Sequence, residues 1–458
     1  MSLFSYWRRR NFVNRFPGSP ADCRRSAALD FRGCFPNCER KEKPVSINRP
    51  RIALVTHSMR CGGLETVLLR LGRYLSAEGF DVEILTSFEP GEWFGKIREW
   101  DLKGRHIDAA KSSYPCMPLI HAIRITREII KGGFNVVFLN HAPYAQASAA
   151  MLPESMAVIP ILHNDSDPIY RIGCANLVAM NALVAVSPKV CEAARPMAAT
   201  TPVVEILNGV DMPSQEAWKK RPGLSRPMVL AFVGRMEQNQ KNILLLPEIL
   251  KACLDRGMDV RLRIAGDGPD KDRLMRKFHE CGLFERVEYL GVVPPERVYP
   301  VLLNSHALLL PSFHEGLPLV ALESQACGCV PIASLLPGIT DVAVRDRETG
   351  ILVRSLSPER FADALAELED QAQWSAMSAA AHRHVLSAFS VEVMGRRYVR
   401  LVKDALMGRY PLQRPRRFSP SAYLSLFPLR ENAPKWMRTM YKAVRGAKIP
   451  SRVRRISR

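Results

Sequence analysis

Two glutamates stand in an otherwise apolar stretch of the sequence, FHEGLPLVALESQACGCVPI, which covers residues 313–332. Seven residues separate Glu315 from Glu323. An unpaired carboxylate is costly to bury, so a folded chain keeps such a pair only where solvent, a partner or a ligand compensates the charge. The pair therefore marks a candidate site of chemistry.

The local pattern places the two carboxylates on either side of a predicted helix start. The preceding ALLLPS is typical of a strand, and Pro318 suits the first turn of a helix, which predicts a helix from about Leu317. Glu315 then lies in the loop, and Glu323 lies about two turns into the helix. The backbone N–H groups expected to bind an anion are those of Gly316, Leu317 and Leu319. A ligand with hydroxyls at both ends and phosphates between them would fit, whereas a cap plus a solvated glutamate would explain only one carboxylate.

Two further stretches have residues suited to phosphate. In FVGRMEQNQKN, Arg235 and Lys241 follow a predicted strand and are able to clamp a diphosphate, although a solvated basic loop has the same pattern. In SMRCGGLET, Gly62 and Gly63 lie between a strand and a helix, where glycine lets the backbone approach a ligand. A GxGxxG fingerprint is absent there, and an ordinary tight turn is the alternative.

The elements that must position these residues alternate between short apolar strands and helices. The alternation begins at RIALVTHSM, residues 51–59, and restarts at MVLAFVGR after a polar linker near 214–227. Such repetition predicts parallel sheets, and therefore an α/β fold with two Rossmann-like doubly wound domains. Ligands of these sheets bind beyond the carboxyl ends of the strands, so a cleft between the domains is the expected site.

The net charge of +20 belongs to the two ends of the chain. Residues 1–50 contain 11 Lys and Arg against 4 Asp and Glu, residues 409–458 contain 14 against 1, and the residues between them contain 40 of each sign. Basic ends favour an anionic membrane or a nucleic acid, but a nucleic-acid channel would make the body basic as well. The segment 433–449, APKWMRTMYKAVRGAKI, spaces apolar residues as in a helix among five basic ones, which is typical of a membrane-surface helix. A helix packed on the body of the protein, or a disordered tail, remains an alternative.

Together the motifs resemble those of the retaining glycosyltransferases of family 4, which have the two-domain GT-B fold. Glu315 and Glu323 match the E-x7-E pattern, and Arg235 and Lys241 match the family's GR…K. The other matches are NGVD at 208–211, GDGP at 266–269 and GGLE at 62–65. The resemblance extends over roughly residues 50–405.

The resemblance implies a role for each matched residue in binding a nucleotide-sugar donor. Arg235 and Lys241 would bind the diphosphate and offset its charge as the leaving group departs. Glu315 would contact hydroxyls of the donor sugar, and Glu323 the nucleotide ribose. The further donor-binding residues are Gly62, Gly63, Gly316, Leu317 and Leu319.

A catalytic role is implied for one more residue besides Glu315. His163, in PILHND, follows a strand where the family often carries a sugar-contacting histidine, and a plain turn histidine is the alternative. The DSD at 165–167 could bind Mn²⁺ or Mg²⁺, as in glycosyltransferases of the other major fold, but a helix-capping turn is favoured. Neither a metal nor a cofactor is therefore expected.

The predicted division of the chain follows from the resemblance and the charge pattern. It consists of a basic, poorly ordered leader at 1–49, an acceptor domain at 50–215, a donor domain at 226–385, a helix crossing back at 386–408 and a basic tail at 409–458. The expected function is transfer of a sugar from a nucleotide-diphosphate-sugar to a lipid-linked or surface-glycan acceptor. The alternatives are a nucleotide-sugar epimerase or glycan phosphorylase of the same fold and, less favoured, a nucleic-acid-binding protein.

The expected location is the cytoplasm, with peripheral contact to the membrane through the tail. No run of 18 or more apolar residues is present, and the N-terminal MSLFSYWRRRNF lacks the apolar region of a secretory signal.

Overall fold

The computed structural model describes residues 49–108, 117–417 and Leu426. The predicted leader up to residue 48 and the amphipathic segment 433–449 lie outside these residues. Within the described residues, no helix is both long enough and apolar enough to cross a membrane.

The first domain is built on a seven-stranded parallel sheet in the order β3-β2-β1-β4-β5-β6-β7. Its strands are β1 (Arg51–Thr56), β2 (Asp81–Thr86), β3 (Lys103–His106), β4 (Val136–Asn140), β5 (Ala157–Leu162), β6 (Leu183–Ala185) and β7 (Val203–Glu205). Its helices are α1 (Gly63–Ala77), α2 (Phe94–Glu99), α3 (Met117–Gly132), α4 (Pro143–Ser148), α5 (Asp167–Gly173) and α6 (Pro188–Ala198). The strand order reverses direction between β1 and β4, which is where ligands of such sheets bind.

The second domain has a six-stranded parallel sheet in the order β10-β9-β8-β11-β12-β13. Its strands are β8 (Met228–Val233), β9 (Val260–Ala265), β10 (Val287–Gly291), β11 (Ala307–Leu310), β12 (Val330–Ser334) and β13 (Ile351–Val353). The helices from the linker onward are α7 (Gln215–Lys219), α8 (Gln238–Lys241), α9 (Leu245–Asp255), α10 (Lys271–Glu280), α11 (Pro295–Leu303), α12 (Leu319–Ala326), α13 (Thr340–Ala343), α14 (Pro358–Ala366), α15 (Gln371–Ala388) and α16 (Val391–Leu406). The predicted α/β fold with two parallel-sheet domains is confirmed.

Helices cover both faces of a parallel sheet, so the side chains of its central strands are buried on both sides. Apolar runs in the sequence therefore predict these strands. Every residue of β4, β5, β11 and β12 is buried. The strand missed by the sequence analysis is β3, with the sequence KGRH, which is partly or fully exposed along its length. It lies at the edge of the sheet, where no apolar run is required.

Capping side chains divide the C-terminal helical region, which includes the predicted crossing helix at 386–408, into separate helices. Asp370 accepts a hydrogen bond from the N–H of Gln373 at 2.7 Å and starts α15. Ser390 accepts one from the N–H of Val393 at 3.4 Å and starts α16. Side chains that accept such bonds satisfy N–H groups that a helix start leaves free.

The last helix, α16, lies against the first domain. The backbone N–H of Val210 donates to the carbonyl of Phe389 at 2.8 Å, which ties the NGVD segment to the residues before α16. The ring of Tyr398 is fully buried and meets Phe138 of β4 edge-on, with 5.7 Å between centroids. Gly395 lies directly on the ring of Tyr74 in α1, so the two helices approach closely at this point.

Among the first residues of the predicted basic tail, Arg416 is buried, whereas Arg409, Arg414 and Arg417 are exposed. Arg416 is 8% exposed and donates to the carbonyls of Ala179 at 2.9 Å and Met156 at 2.8 Å, and to Oδ1 of Asn181 at 2.9 Å. Burial lowers the pKa of its guanidinium to about 10. Because these oxygens surround the ends of β5 and β6, Arg416 fixes the chain after α16 to the first domain.

Replacing Gly395 with alanine should destabilise the fold, because the new methyl group would lie 2.2 Å from a ring carbon of Tyr74. We expect a loss of about 1–3 kcal/mol in the free energy of unfolding, measured by urea titration. Gly95→Ala in α2 is the matched control, since no atom lies within 4 Å of its added carbon. Equal stability of the two variants would contradict the described packing of α16 on α1.

Candidate functional site

The protein itself compensates the charge of Glu315. Its Oε1 accepts hydrogen bonds from Nζ of Lys241 and from Oγ of Ser312, both at 2.6 Å. The side chains of Lys241 and Glu315 are 14% and 6% exposed, so the ion pair is largely removed from water. The motifs predict both residues at one ligand, and the structure brings them into direct contact.

Short hydrogen bonds hold this pair in place. Lys241 is the last residue of α8, and the N–H of Phe313 donates to the carbonyl of Gln240 at 2.8 Å. Ser334, at the end of β12, donates to the carbonyl of Ser312 at 2.6 Å. The loop that carries Glu315 is therefore bonded to α8 on one side and to β12 on the other.

The helix after Glu315 begins later than predicted. Pro318 has extended backbone and is the N-cap, so α12 starts at Leu319 and not near Leu317. Glu323 is consequently the fifth helical residue, little more than one turn in, and not two. Among the described residues, no acceptor bonds the N–H groups of the loop and first turn, namely those of Gly316, Leu317 and Leu319.

Glycines allow the two domains to touch at this helix start. A Cβ atom at Gly316 would lie 2.2 Å from the carbonyl oxygen of His163, so only glycine fits without displacing that backbone. A Cβ atom at Gly63 would lie 3.1 Å from the side chain of Leu319. The structure thus brings together the glycine loop, His163 and the start of α12, although they are distant in the sequence.

Glu323 is held by an arginine of the other domain. Arg70 of α1 is 1% exposed and donates to Oε1 of Glu323 at 2.7 Å and to Oδ2 of Asp211 at 2.8 Å. It also donates to the hydroxyl of Tyr299 at 3.1 Å. Burial raises the pKa of Glu323, and the positive charge of Arg70 opposes that rise.

Arg70 belongs to none of the predicted motifs, although its position in the sequence carries a signal. The residue stands within VLLRLGRYL, where the neighbouring side chains form the buried face of α1. Arginine is almost never fully buried unless it is paired. An arginine within an apolar helical stretch therefore indicates a buried acidic partner, but it does not identify which carboxylate that partner is.

Arg235 and His163 have different surroundings. The side chain of Arg235 is 68% exposed and its Nε lies 3.4 Å from Glu237, so the structure does not place it in the Lys241–Glu315 pair. His163 bonds through Nε2 to Oδ1 of Asn140 at 2.9 Å. Burial lowers the pKa of His163 to about 3, so its imidazole is neutral at physiological pH and acts as a hydrogen-bonding group.

The glycine loop already has an acidic group beside it. Oε2 of Glu65 lies 2.7 Å from the position of a Cβ atom on Gly62, the N-cap of α1. Burial raises the pKa of Glu65 to about 7. At the start of α1, this carboxyl group would therefore compete with a ligand anion for the backbone N–H groups.

The first residue of the DSD segment already contacts other side chains of the protein. Asp165 accepts a hydrogen bond from the hydroxyl of Tyr170 at 2.6 Å and lies 3.1 Å from Nζ of Lys189. A helix does start here, at Asp167, but Ser166 in the N-cap position makes no side-chain capping bond. No group of three or more His, Cys, Asp and Glu residues in the described part of the chain is arranged to bind a metal ion.

Two family models match adjacent parts of the sequence. The family described as Glycosyltransferase Family 4 matches residues 61–212, and the family described as Glycosyl transferases group 1 matches residues 214–384. Together the matches extend from the glycine loop into α15.

Curated relatives share a shorter region with this chain. The D-inositol 3-phosphate glycosyltransferase of Corynebacterium glutamicum is 36% identical over 148 residues, which are 31% of this chain and 35% of the relative. That of Nocardia farcinica is 35% identical over 166 residues, which are 34% of this chain and 36% of the relative. The chain thus spans about a third of the length of the curated relatives it matches.

Solved structures share the overall fold. Anabaena HepE, in complex with UDP and glucose, has a TM-score of 0.64 at 15% identity, with 78% of this chain and 100% of that chain covered. S. aureus TarM has a TM-score of 0.66 at 11% identity, with 77% of this chain and 99% of that chain covered. At these identities the likeness shows the fold alone.

Replacing Arg70 with methionine should leave the buried carboxylate of Glu323 without its cation, whereas Asp211 keeps Arg73. We expect a loss of about 3–5 kcal/mol in the free energy of unfolding, as for other broken buried ion pairs. The double variant Arg70→Met/Glu323→Gln should lose less than the sum of the two single variants, because the uncompensated charge is removed as well.

The matched control for this cycle is Arg73→Met. Arg73 also contacts Asp211, but it is 51% exposed, so its loss should cost less than about 1 kcal/mol. Urea titration of the four variants and the wild type gives the comparison. A similar cost for Arg70→Met and Arg73→Met would show that the buried pair does not join the domains.

Proposed function

Since the chain belongs to the family 4 glycosyltransferases and has their two-domain fold, we propose that it transfers a sugar from a nucleotide-diphosphate-sugar donor to a lipid-linked or surface-glycan acceptor, with retention of the anomeric configuration. The observation that carries this proposal is the buried pair of Lys241 and Glu315 beside N–H groups at the start of α12 that have no acceptor among the described residues. A cation, a carboxylate and backbone donors at one place suit a ligand that has both phosphates and hydroxyls.

The proposed donor occupies the cleft between the domains. Lys241 and the exposed Arg235 bind the diphosphate, and Glu315 accepts hydrogen bonds from hydroxyls of the donor sugar. The names of two structural neighbours support a nucleotide-sugar, since HepE was crystallised with UDP and glucose and TarM with UDP. Since the two side-chain cations offset the phosphate charge, we propose that transfer requires no metal ion.

Glu323 is proposed to bind the ribose while Arg70 fixes its orientation. In the described structure Arg70 occupies Oε1 of Glu323, and Oε2 has no hydrogen bond among the described residues. Oε2 is therefore the oxygen left to accept a bond from a ribose hydroxyl. Arg70 acts on the nucleotide through Glu323 and is a positioning residue.

The proposed reaction joins the acceptor on the face from which the diphosphate leaves. The acceptor oxygen bonds to the anomeric carbon as the bond from that carbon to the donor phosphate oxygen breaks. The hydroxyl proton of the acceptor passes to the departing diphosphate, whose charge Lys241 and Arg235 offset. His163, neutral because burial lowers its pKa, holds the sugar by hydrogen bonding and does not supply a proton.

We further propose that the protein acts in the cytoplasm at the membrane surface. The tail from residue 432 onward contains nine Lys and Arg and no Asp or Glu. Arg416 and Leu426 pack on the first domain, so the last described residues before the tail lie at that domain. A basic segment that follows them in the sequence suits an acceptor attached to an anionic membrane.

A screen of nucleotide-diphosphate sugars by thermal unfolding tests the donor. At a donor concentration of about 100 times Kd, the stabilisation is about 2.7 kcal/mol, and Arg235→Ala should reduce it. Arg273→Ala on α10 is the matched control, since Arg273 is an exposed arginine of the same domain. If no donor raises the melting temperature of the wild type, the proposed function is wrong.

Truncation after Glu431 tests the membrane contact while retaining Arg416 and Leu426. We expect the truncated protein to lose binding to phosphatidylcholine vesicles that contain phosphatidylglycerol, because each basic residue near the surface contributes about 1 kcal/mol. Deletion of residues 2–40 is the matched control, since it removes basic residues without the amphipathic pattern. Cosedimentation that is unchanged by the truncation would refute the membrane contact.

A further inference from the structure

Aromatic rings gather where the strands of the first domain end. His57 follows β1 directly, Phe88 lies just after β2, and His141 follows β4. Tyr144 of α4 and His121 of α3 lie beside them. Because the carboxyl ends of parallel strands meet at one edge of the sheet, the fold places these residues at the ligand-binding edge of the acceptor domain.

Four of these residues form what we call the aromatic platform, namely His57, Phe88, His121 and Tyr144. The ring of Phe88 stacks on His57 at 4.6 Å between centroids and on Tyr144 at 5.4 Å, within 12° of parallel in both cases. His121 meets Tyr144 edge-on at 4.8 Å. Phe88 remains 38% exposed, so the platform presents an apolar ring at the surface.

Unpaired polar atoms accompany this apolar ring. Nδ1 of His57, of His121 and of His141 is buried, and none has a hydrogen-bond partner among the residues that the structure describes. His121 is only 2% exposed. A buried polar atom without a partner is costly, so three of them at one edge indicate a site that a ligand or ordered water completes.

The imidazoles of this edge are uncharged. Burial lowers the pKa of His57 to about 4 and also lowers the pKa values of His121 and His141. Two cations lie near these rings: Arg60, near His57, donates from Nε to Glu89 at 2.7 Å, and the exposed Arg124 of α3 lies near His121. Neutral imidazole nitrogens donate to or accept from hydroxyls, but they do not attract a phosphate as a cation does.

The platform adjoins the proposed donor site. His141 is close enough to influence the ionisation of both His57 and His163. The carbonyl of His163 packs against Gly316, next to Glu315. Through His141 and His163, the platform is therefore linked to the loop that carries Glu315.

We propose that the aromatic platform is the acceptor subsite and takes an uncharged sugar ring, not a phosphorylated polyol. The apolar face of the ring packs on Phe88, and its hydroxyls bond to the imidazole nitrogens; a site of this kind combines apolar surface with a few placed polar atoms. This inference rests on the proposed function and goes beyond it by specifying the acceptor. It also distinguishes this chain from relatives whose names specify inositol 3-phosphate.

Binding of methyl glycosides to the full-length protein tests the platform without any donor. Saturation-transfer NMR with a set of methyl hexopyranosides should show binding to the wild type, about tenfold weaker binding to Phe88→Ala, and recovery in Phe88→Trp. Phe284→Ala is the matched control, because Phe284 is 42% exposed and stacks on His279 at 3.9 Å in the other domain.

Activity gives the second measurement. With a donor identified by thermal unfolding, Phe88→Ala should raise KM for the methyl glycoside about tenfold and leave the stabilisation by the donor unchanged. Inositol 3-phosphate should be a poorer acceptor than the best glycoside. Equal behaviour of Phe88→Ala and Phe284→Ala, or a higher kcat/KM for inositol 3-phosphate, would overturn the inference. If glycosides bind but no donor stabilises the protein, the platform stands as a sugar site and the proposed function fails.

Discussion

A guanidinium that is 1% exposed joins three parts of the fold. Arg70, on the first helix, bonds Asp211 in the segment between the domains and Glu323 in the second domain. Such a charge is stable only while all its partners stay in place, because breaking a buried ion pair leaves uncompensated charge out of water. The relative position of α1, the NGVD segment and α12 therefore depends on this one side chain.

The contact between the two domains also depends on two positions that have no side chain. Gly316 and Gly63 let α12 and its preceding loop lie directly against the first domain, since a side chain at Gly316 would overlap the carbonyl of His163. The close approach brings the Lys241–Glu315 pair to the histidines that follow the strands of the first sheet. Two halves of a site, one charged and one neutral, meet at this contact.

This division of charge gives each side of the cleft its chemistry. On the second domain, Lys241, Arg235 and the free N–H groups before α12 suit phosphate. On the first domain, burial keeps His163 and its neighbours uncharged at physiological pH, so that side suits hydroxyls. A nucleotide-sugar with its phosphates on one side and an uncharged acceptor on the other is consistent with both.

The sequence by itself determined the two-sheet fold and predicted the residues that are proposed to bind phosphate. Apolar runs mark strands that are buried on both faces, and Glu315, Lys241 and the glycines stand next to predicted strands and helix starts, so local pattern was sufficient. It did not predict edge strand β3 or the start of α12, because an edge strand needs no apolar run and Pro318 suits an N-cap as well as a first turn.

Only the tertiary structure decided the partner of Glu323, the burial of Arg416 and the clustering of Phe88 with His57, His121 and Tyr144. These contacts join residues that are distant along the chain, and Arg70 and Glu323 alone are 253 positions apart. Their energies depend on how far folding removes each group from water, and a sequence pattern shows residue types and spacing but not that removal. The local sequence therefore identified the charged groups, whereas packing set their partners and protonation states.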